Sequence, residues 1–188
     1  MIKISKIFYW IMIQSRWLQI WSKLYRFLHN EGKYKKAIPV YTDPVLLQMN
    51  LDLIEYRRDG FKELFDVAHS PFYLNHVLEE IKDKNDQPNG SFDCTSYAIL
   101  AIHMLDWHFN AHLLGVSYKR KNKRLKFGGH MVCYFETPFG FRHMGNWGLS
   151  SNYRTLEAMA KDIAYRADSE LIGYTILDKN LKIVKVHT

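Results

Sequence analysis

Apolar residues along this chain recur first at helical spacing and later at alternating positions. Asp43-Pro44 reads as an N-cap followed by Pro at the first helical position, and Leu46, Leu47, Asn50, Leu51 and Ile54 continue the pattern, which predicts a helix over about 43–57. Gly60 breaks the period, Phe61 to Ala68 resumes it, and Ser70-Pro71 caps a further helix running to about Lys84. The stretch from Lys84 to Ser91, with Asn85, Asp86, Gln87, Pro88, Asn89 and Gly90, is built of turn formers and predicts a loop. Beyond it, Ala98, Ala101, Ile102, Leu105 and Phe109 mark one helical face while Leu100, Met104 and Trp107 mark another. A helix apolar nearly all round is central and buried.

From residue 112 the period changes. Leu114, Val116 and Tyr118 alternate with Gly115 and Ser117, a basic tip from Lys119 to Lys126 turns the chain, and Gly129 to Glu136 returns as a second strand. Pro138-Phe139-Gly140 turns into a third strand at Phe141 to Met144. A helix at about 156–167 and a hairpin of 171–177 with 181–186, turning at Asp178-Lys179-Asn180, complete the pattern. Helices first and strands afterwards predict an α+β fold in which a buried helix packs on an antiparallel sheet. There is no internal repeat and no low-complexity tract.

Composition agrees with a folded chain. Of 188 residues, 47% are hydrophobic and 24% charged, with ten Gly and five Pro, which excludes disordered and fibrous classes. This length predicts one domain at 43–188, preceded by an amphipathic helical arm at 1–42. Within the arm, Ile7 to Ile13 resembles the start of a signal peptide, but Gln14, Ser15, Arg16 and Gln19 interrupt it before ~20 uncharged residues accumulate. The arm is expected to pack on the domain; the sharper alternative is contact with a membrane surface or a protein through Trp10, Trp17 and Trp21. The net charge of +7 favours acidic partners, yet its clusters at residues 33–36 and 119–126 carry no nucleic-acid motif, so no specific nucleic-acid binding is expected. Two cysteines are too few for a disulfide framework and predict a reducing, cytoplasmic setting.

Three residues suggest chemistry. Cys94 follows Asp93, a good N-cap, so its thiol lies in a first helical turn where backbone N–H groups and the positive end of the helix dipole lower a thiol pKa. His130 opens a strand after two glycines that let another element approach. Asn146 ends the next strand, near the same end of that hairpin. A thiolate, an imidazole and an orienting amide are what nucleophilic acyl transfer needs. Cys133 lies three residues from His130, hence on the other face of the strand, and reads as core. His108 and His112 are four apart, but no Glu completes a zinc pattern, and the opposite facing of His130 and Cys133 argues against a Cys94, His130, Cys133, His143 ligand set. No metal or other cofactor is expected.

The runs Asp93-Cys94-Thr95-Ser96-Tyr97-Ala98, Gly128-Gly129-His130-Met131-Val132-Cys133 and Phe141 to Asn146 together resemble the transglutaminase-like and papain-like cysteine peptidase superfamily. Tyr56-Arg57-Arg58-Asp59 is similar to its region upstream of the cysteine. The likeness covers about 43–147, with Phe92 where the family commonly has Gly and Asn146 where transglutaminase-like members usually have Asp. It implies a papain-like or transglutaminase-like core, Cys94 as nucleophile, His130 as base and Asn146 as the orienting group. It also implies an oxyanion hole using the Cys94 backbone N–H and Gln87, since papain-like enzymes carry a Gln shortly before the cysteine. His143, in the same strand as Asn146, is displaced toward the site if the register differs by a residue. The implied activity is a thiol-dependent hydrolase or acyltransferase acting on a peptide or protein amide through a covalent acyl-enzyme. The alternative is a catalytically silent binding or structural protein of the same fold, related to the small stand-alone members found in bacteria and their phages.

Overall fold

A computed structural model describes residues 22–24, 26–28, 30–34, 36–56, 68–84, 92–121 and 127–188. The expected helix from Phe61, the loop residue Gln87, the tip of the basic hairpin and most of the N-terminal arm lie outside the described residues. The fold is α+β. Helices α1 (Pro44–Leu51), α2 (Pro71–Lys84) and α3 (Cys94–Met104) precede strands β1 (His112–Arg120), β2 (Phe127–Thr137) and β3 (Gly140–Met144). Helix α4 (Leu156–Arg166) and strands β4 (Ser169–Leu177) and β5 (Ile183–His187) follow. The five strands form one sheet in the order β3-β2-β1-β4-β5, and every neighbouring pair is antiparallel.

Local chemistry sets the ends of the helices. Asp43 accepts a hydrogen bond from Val45 N–H and Pro44 occupies the first turn, so α1 starts where the N-cap signal places it. It stops at Leu51, short of the expected residue 57. Tight turns from Leu53 N–H to Asn50 and from Ile54 N–H to Leu51 close the chain, and the Tyr97 hydroxyl donates to the Ile54 carbonyl. Ile54 thus reaches the core through a turn rather than a longer helix. Helix α3 ends at Met104 because Leu105 is extended and forms a bridge to Tyr41, with Tyr41 N–H donating to Met104 O and Asp106 N–H to Tyr41 O. Residues 107–109 then form a separate 3-10 turn capped by Asp106. His108 is therefore on that exposed turn and His112 opens β1, so the two do not share a helix face.

The sheet separates two apolar layers. Leu113 of β1, Met131, Cys133 and Phe135 of β2, Met144 of β3 and Leu177 of β4 share a core with α1, α2 and α3. The alternate positions Leu114, Val116, Tyr118, Val132, Tyr134, Tyr174 and Ile176 pack with Met159, Ala160, Ile163 and Ala164 of α4. With both faces covered, β2 reads as a continuous apolar run from Met131 to Phe135 rather than an alternation. Helix α3 is buried at nearly every position, as its all-round apolar pattern requires.

Gly140 turns β2 into β3 with φ +122°, a region closed to most side chains, and a Cβ there would press into the carbonyl oxygen of Tyr153. That carbonyl accepts from Phe141 N–H at 2.8 Å, so the backbone cannot retreat without losing the bridge that holds residue 153 against β3. Gly140→Ala is expected to cost about 3 kcal/mol and to lower Tm by roughly 6–12 °C in a thermal unfolding scan. An unchanged Tm would show that the bridge is not a constraint.

Candidate active site around Cys94 and the placement of the histidines

Cys94 is the first residue of α3 and is half-buried against the core on that side of the sheet. Asp93, itself buried, accepts from Ser96 N–H at 2.9 Å and fixes the helix start. The first turn of a helix carries the positive end of its dipole, which favours a thiolate or an oxyanion. Cys133 is different. It is enclosed on β2, and burial pushes its thiol well above the ordinary range.

The structure does not bring His130 to Cys94. His130 alternates with Met131 and shares its parity with Val132 and Tyr134, which pack with α4, whereas Cys94 belongs to the layer containing Met131 and Cys133. The sheet lies between them. The His130 ring stacks on Trp147, with centroids 3.8 Å apart and planes 15° from parallel. Its Nε2 is buried and makes no hydrogen bond among the described residues. Burial, and then the neighbouring charge of His143, hold its pKa down to about 3.

Asn146 is likewise one position away from the expected arrangement. Strand β3 ends at Met144, paired with Cys133, and the following residues form a turn closed by Gly148 N–H donating to Gly145 O. Trp147, not Asn146, meets the His130 ring, and Asn146 Oδ1 accepts no hydrogen bond among the described residues. The strand ends before Asn146, and the turn that follows sets Trp147 against the imidazole, which is why the expected amide-to-imidazole bond is not made. Gln48 holds this turn from α1: its amide donates to Gly145 O at 3.0 Å and its Oε1 accepts from Gly145 N–H at 3.3 Å. His143 is on the α4 side too, opposite Tyr134 and parallel to the Tyr153 ring at 5.9 Å. It is fully buried, its ring nitrogens make no hydrogen bond among the described residues, and burial followed by the Arg166 charge lowers its pKa to about 4 against the opposing pull of Asp162.

A histidine and carboxylate pair on the Cys94 side has no counterpart in the sequence pattern. Glu31, 2% exposed, places Oε1 at 2.7 Å from His69 Nδ1 and accepts from Ser70 N–H through Oε2 at 2.7 Å. The His69 ring lies nearly parallel to Phe92 at 6.4 Å, two residues before Cys94, and is tilted against Tyr73 at 5.2 Å. Arg26 donates to the carbonyls of Ala68 at 2.6 Å and His69 at 3.0 Å, while Ser22 Oγ accepts from Ala68 N–H at 3.1 Å. Glu31 and His69 sit outside the periodic segments and far apart in the chain, so only the tertiary fold pairs them. Among the described residues no group of three or more His, Cys, Asp and Glu could hold a metal ion. No protein-family model matches this chain, and no curated protein matches it.

The two enclosed imidazoles have a consequence for stability. In the unfolded chain a histidine takes up a proton below about pH 6.5, whereas the folded rings stay neutral until about 4 for His143 and about 3 for His130. The unfolded state therefore binds more protons across that window, so stability is full above it and falls as pH drops. His143→Phe is expected to shrink the difference in unfolding free energy between pH 7 and pH 5 by about 2 kcal/mol in urea titrations. An unaltered difference would mean that the ring is not held neutral.

Proposed function

We propose that this chain is a thiol-dependent hydrolase or acyltransferase that attacks an amide or peptide carbonyl through Cys94, on a papain-like or transglutaminase-like arrangement. One observation carries the reading: the accessible cysteine opens a buried, capped helix, while the other cysteine is sealed inside the sheet. The succession of α3 and a β1-β2-β3 meander, with α3 against β2, supports the fold assignment.

The reaction runs through the groups on the Cys94 side of the sheet. Cys94 Sγ, as thiolate, bonds to the substrate carbonyl carbon; the carbonyl oxygen takes the negative charge, stabilised by N–H groups of the first turn of α3. The leaving amine departs with a proton, and water or a second amine releases the acyl group. His69 is a buried imidazole of this layer, and its Nδ1 lies 2.7 Å from Glu31 Oε1. A carboxylate against one ring nitrogen is the orienting contact that nucleophilic catalysis uses, which supports His69 as the base. The second reading, a silent binding protein of the same fold, is favoured by the placement of His130 across the sheet from Cys94.

Alkylation by iodoacetamide across a pH series separates the two. Cys94 is expected to react with an apparent pKa at least about one unit below the ~8.5 of a free thiol, to revert toward that value in His69→Gln, and to be unaffected by His130→Gln. Cys133 should stay unreactive until the protein unfolds. A Cys94 that titrates as an ordinary thiol in all three proteins sinks the enzyme reading. A response to His130→Gln alone would sink the assignment of His69.

A further inference from the structure

The residues from 22 to 28 attach to the domain by their polar side and turn their apolar side outward. Ser22, 2% exposed, and the half-buried Arg26 bond to the backbone of Ala68 and His69, and Arg26 lies near Glu31. These residues are helical at 22–24 and 26–28. Leu24, Phe27 and Leu28, spaced three and four apart, are 42%, 80% and 68% exposed. This inverts the usual amphipathic arrangement, in which the apolar stripe faces the core. An aromatic and a leucine left this open lose the stabilisation that burial would give, so their exposure calls for an occupant.

The sequence indicates which occupant. The same spacing runs upstream through Trp10, Ile13, Trp17 and Ile20 to Leu24 and Phe27. Lys3, Lys6, Arg16 and Lys23 accompany it, and no Asp or Glu occurs before Glu31. Trp and Tyr favour the boundary between hydrocarbon and water, and cations without acidic neighbours favour an anionic surface. A second copy of the chain is a poor fit, because its matching stripe would bring the same uncompensated cations face to face. We propose that the outward stripe of Leu24, Phe27 and Leu28 is an interfacial anchor that enters the surface of an anionic lipid bilayer, drawn there by the aromatic and basic sequence that precedes it, with the domain held by the Ser22 and Arg26 contacts. No helix among the described residues is long and apolar enough to span a membrane. This inference does not depend on the thiol chemistry.

Sedimentation of the full chain with vesicles tests it, using phosphatidylcholine mixed with phosphatidylglycerol against phosphatidylcholine alone. The chain is expected to sediment with the anionic vesicles, to be released by raised salt, and to show a blue shift of tryptophan emission on binding. Phe27→Ser combined with Leu28→Ser, at positions that the domain leaves open, should weaken binding about tenfold or more with an unchanged circular dichroism spectrum. Lys23→Glu should weaken it several-fold at low salt. Absence of sedimentation with either vesicle, or equal binding to both, overturns the proposal. So does a dimer in sedimentation velocity that the double substitution dissolves, since the stripe would then be a self-association surface.

Discussion

The pleat of β2 is the constraint on which the arrangement of this molecule depends. Successive side chains leave a strand in opposite directions, and β2 lies between two cores that both demand apolar surface. Met131, Cys133 and Phe135 are committed to the layer of α1, α2 and α3, and Val132 and Tyr134 to the layer of α4. A shift of one residue would exchange the two sets and carry His130 with them. The pairing Cys133 with Met144 and Cys133 with Leu113 ties β2 to both neighbours in one register, so no side chain of β2 changes face independently. The location of every histidine on the sheet follows from this.

Enclosure on the α4 side turns His130 and His143 into core material. His130 against Trp147, His143 against Tyr153, His112 against Tyr134 and His187 against Tyr174 are each paired with an aromatic ring on that face. A neutral imidazole stacks as a flat, weakly polar ring, whereas a charged one would lose its hydration there. The low pKa values of His130 and His143 express that cost. A general base needs the opposite circumstances, access to a reacting proton and a partner that stabilises the cation.

Much of the architecture was legible because it rests on local pattern. Asp43-Pro44, Asp93 and Thr155 cap helices whose starts need nothing beyond adjacent residues, and the turns at 138–140 and 178–180 separate apolar runs that pair as hairpins. The alternation even distinguishes His130 from Cys133. What it cannot carry is which side of β2 receives α3. Both sets of positions are apolar enough to bury, so the sequence offers two equivalent faces, and the choice is made by how the helical layer closes over Phe135 and Met144. The pairing of His69 with Glu31 is illegible for a related reason: each belongs to an irregular segment, and their contact is created only when the chain before α1 folds back on the start of α2.

That fold-back links the two parts of the molecule. The stretch from Ser22 to Tyr41 makes its polar contacts at Ala68, His69 and Ser70 and its bridge at Leu105, so the segment preceding α1 is attached at both the start of α2 and the end of α3. Hydrogen bonds to backbone N–H and C=O groups specify position without consuming apolar surface, because they satisfy groups that no secondary structure pairs. Holding the segment by Ser22, Arg26 and Glu31 is therefore what leaves Leu24, Phe27 and Leu28 available to something else. Glu31 serves both ends of this arrangement, pairing with His69 beside the helix of Cys94 and lying within reach of the charge of Arg26.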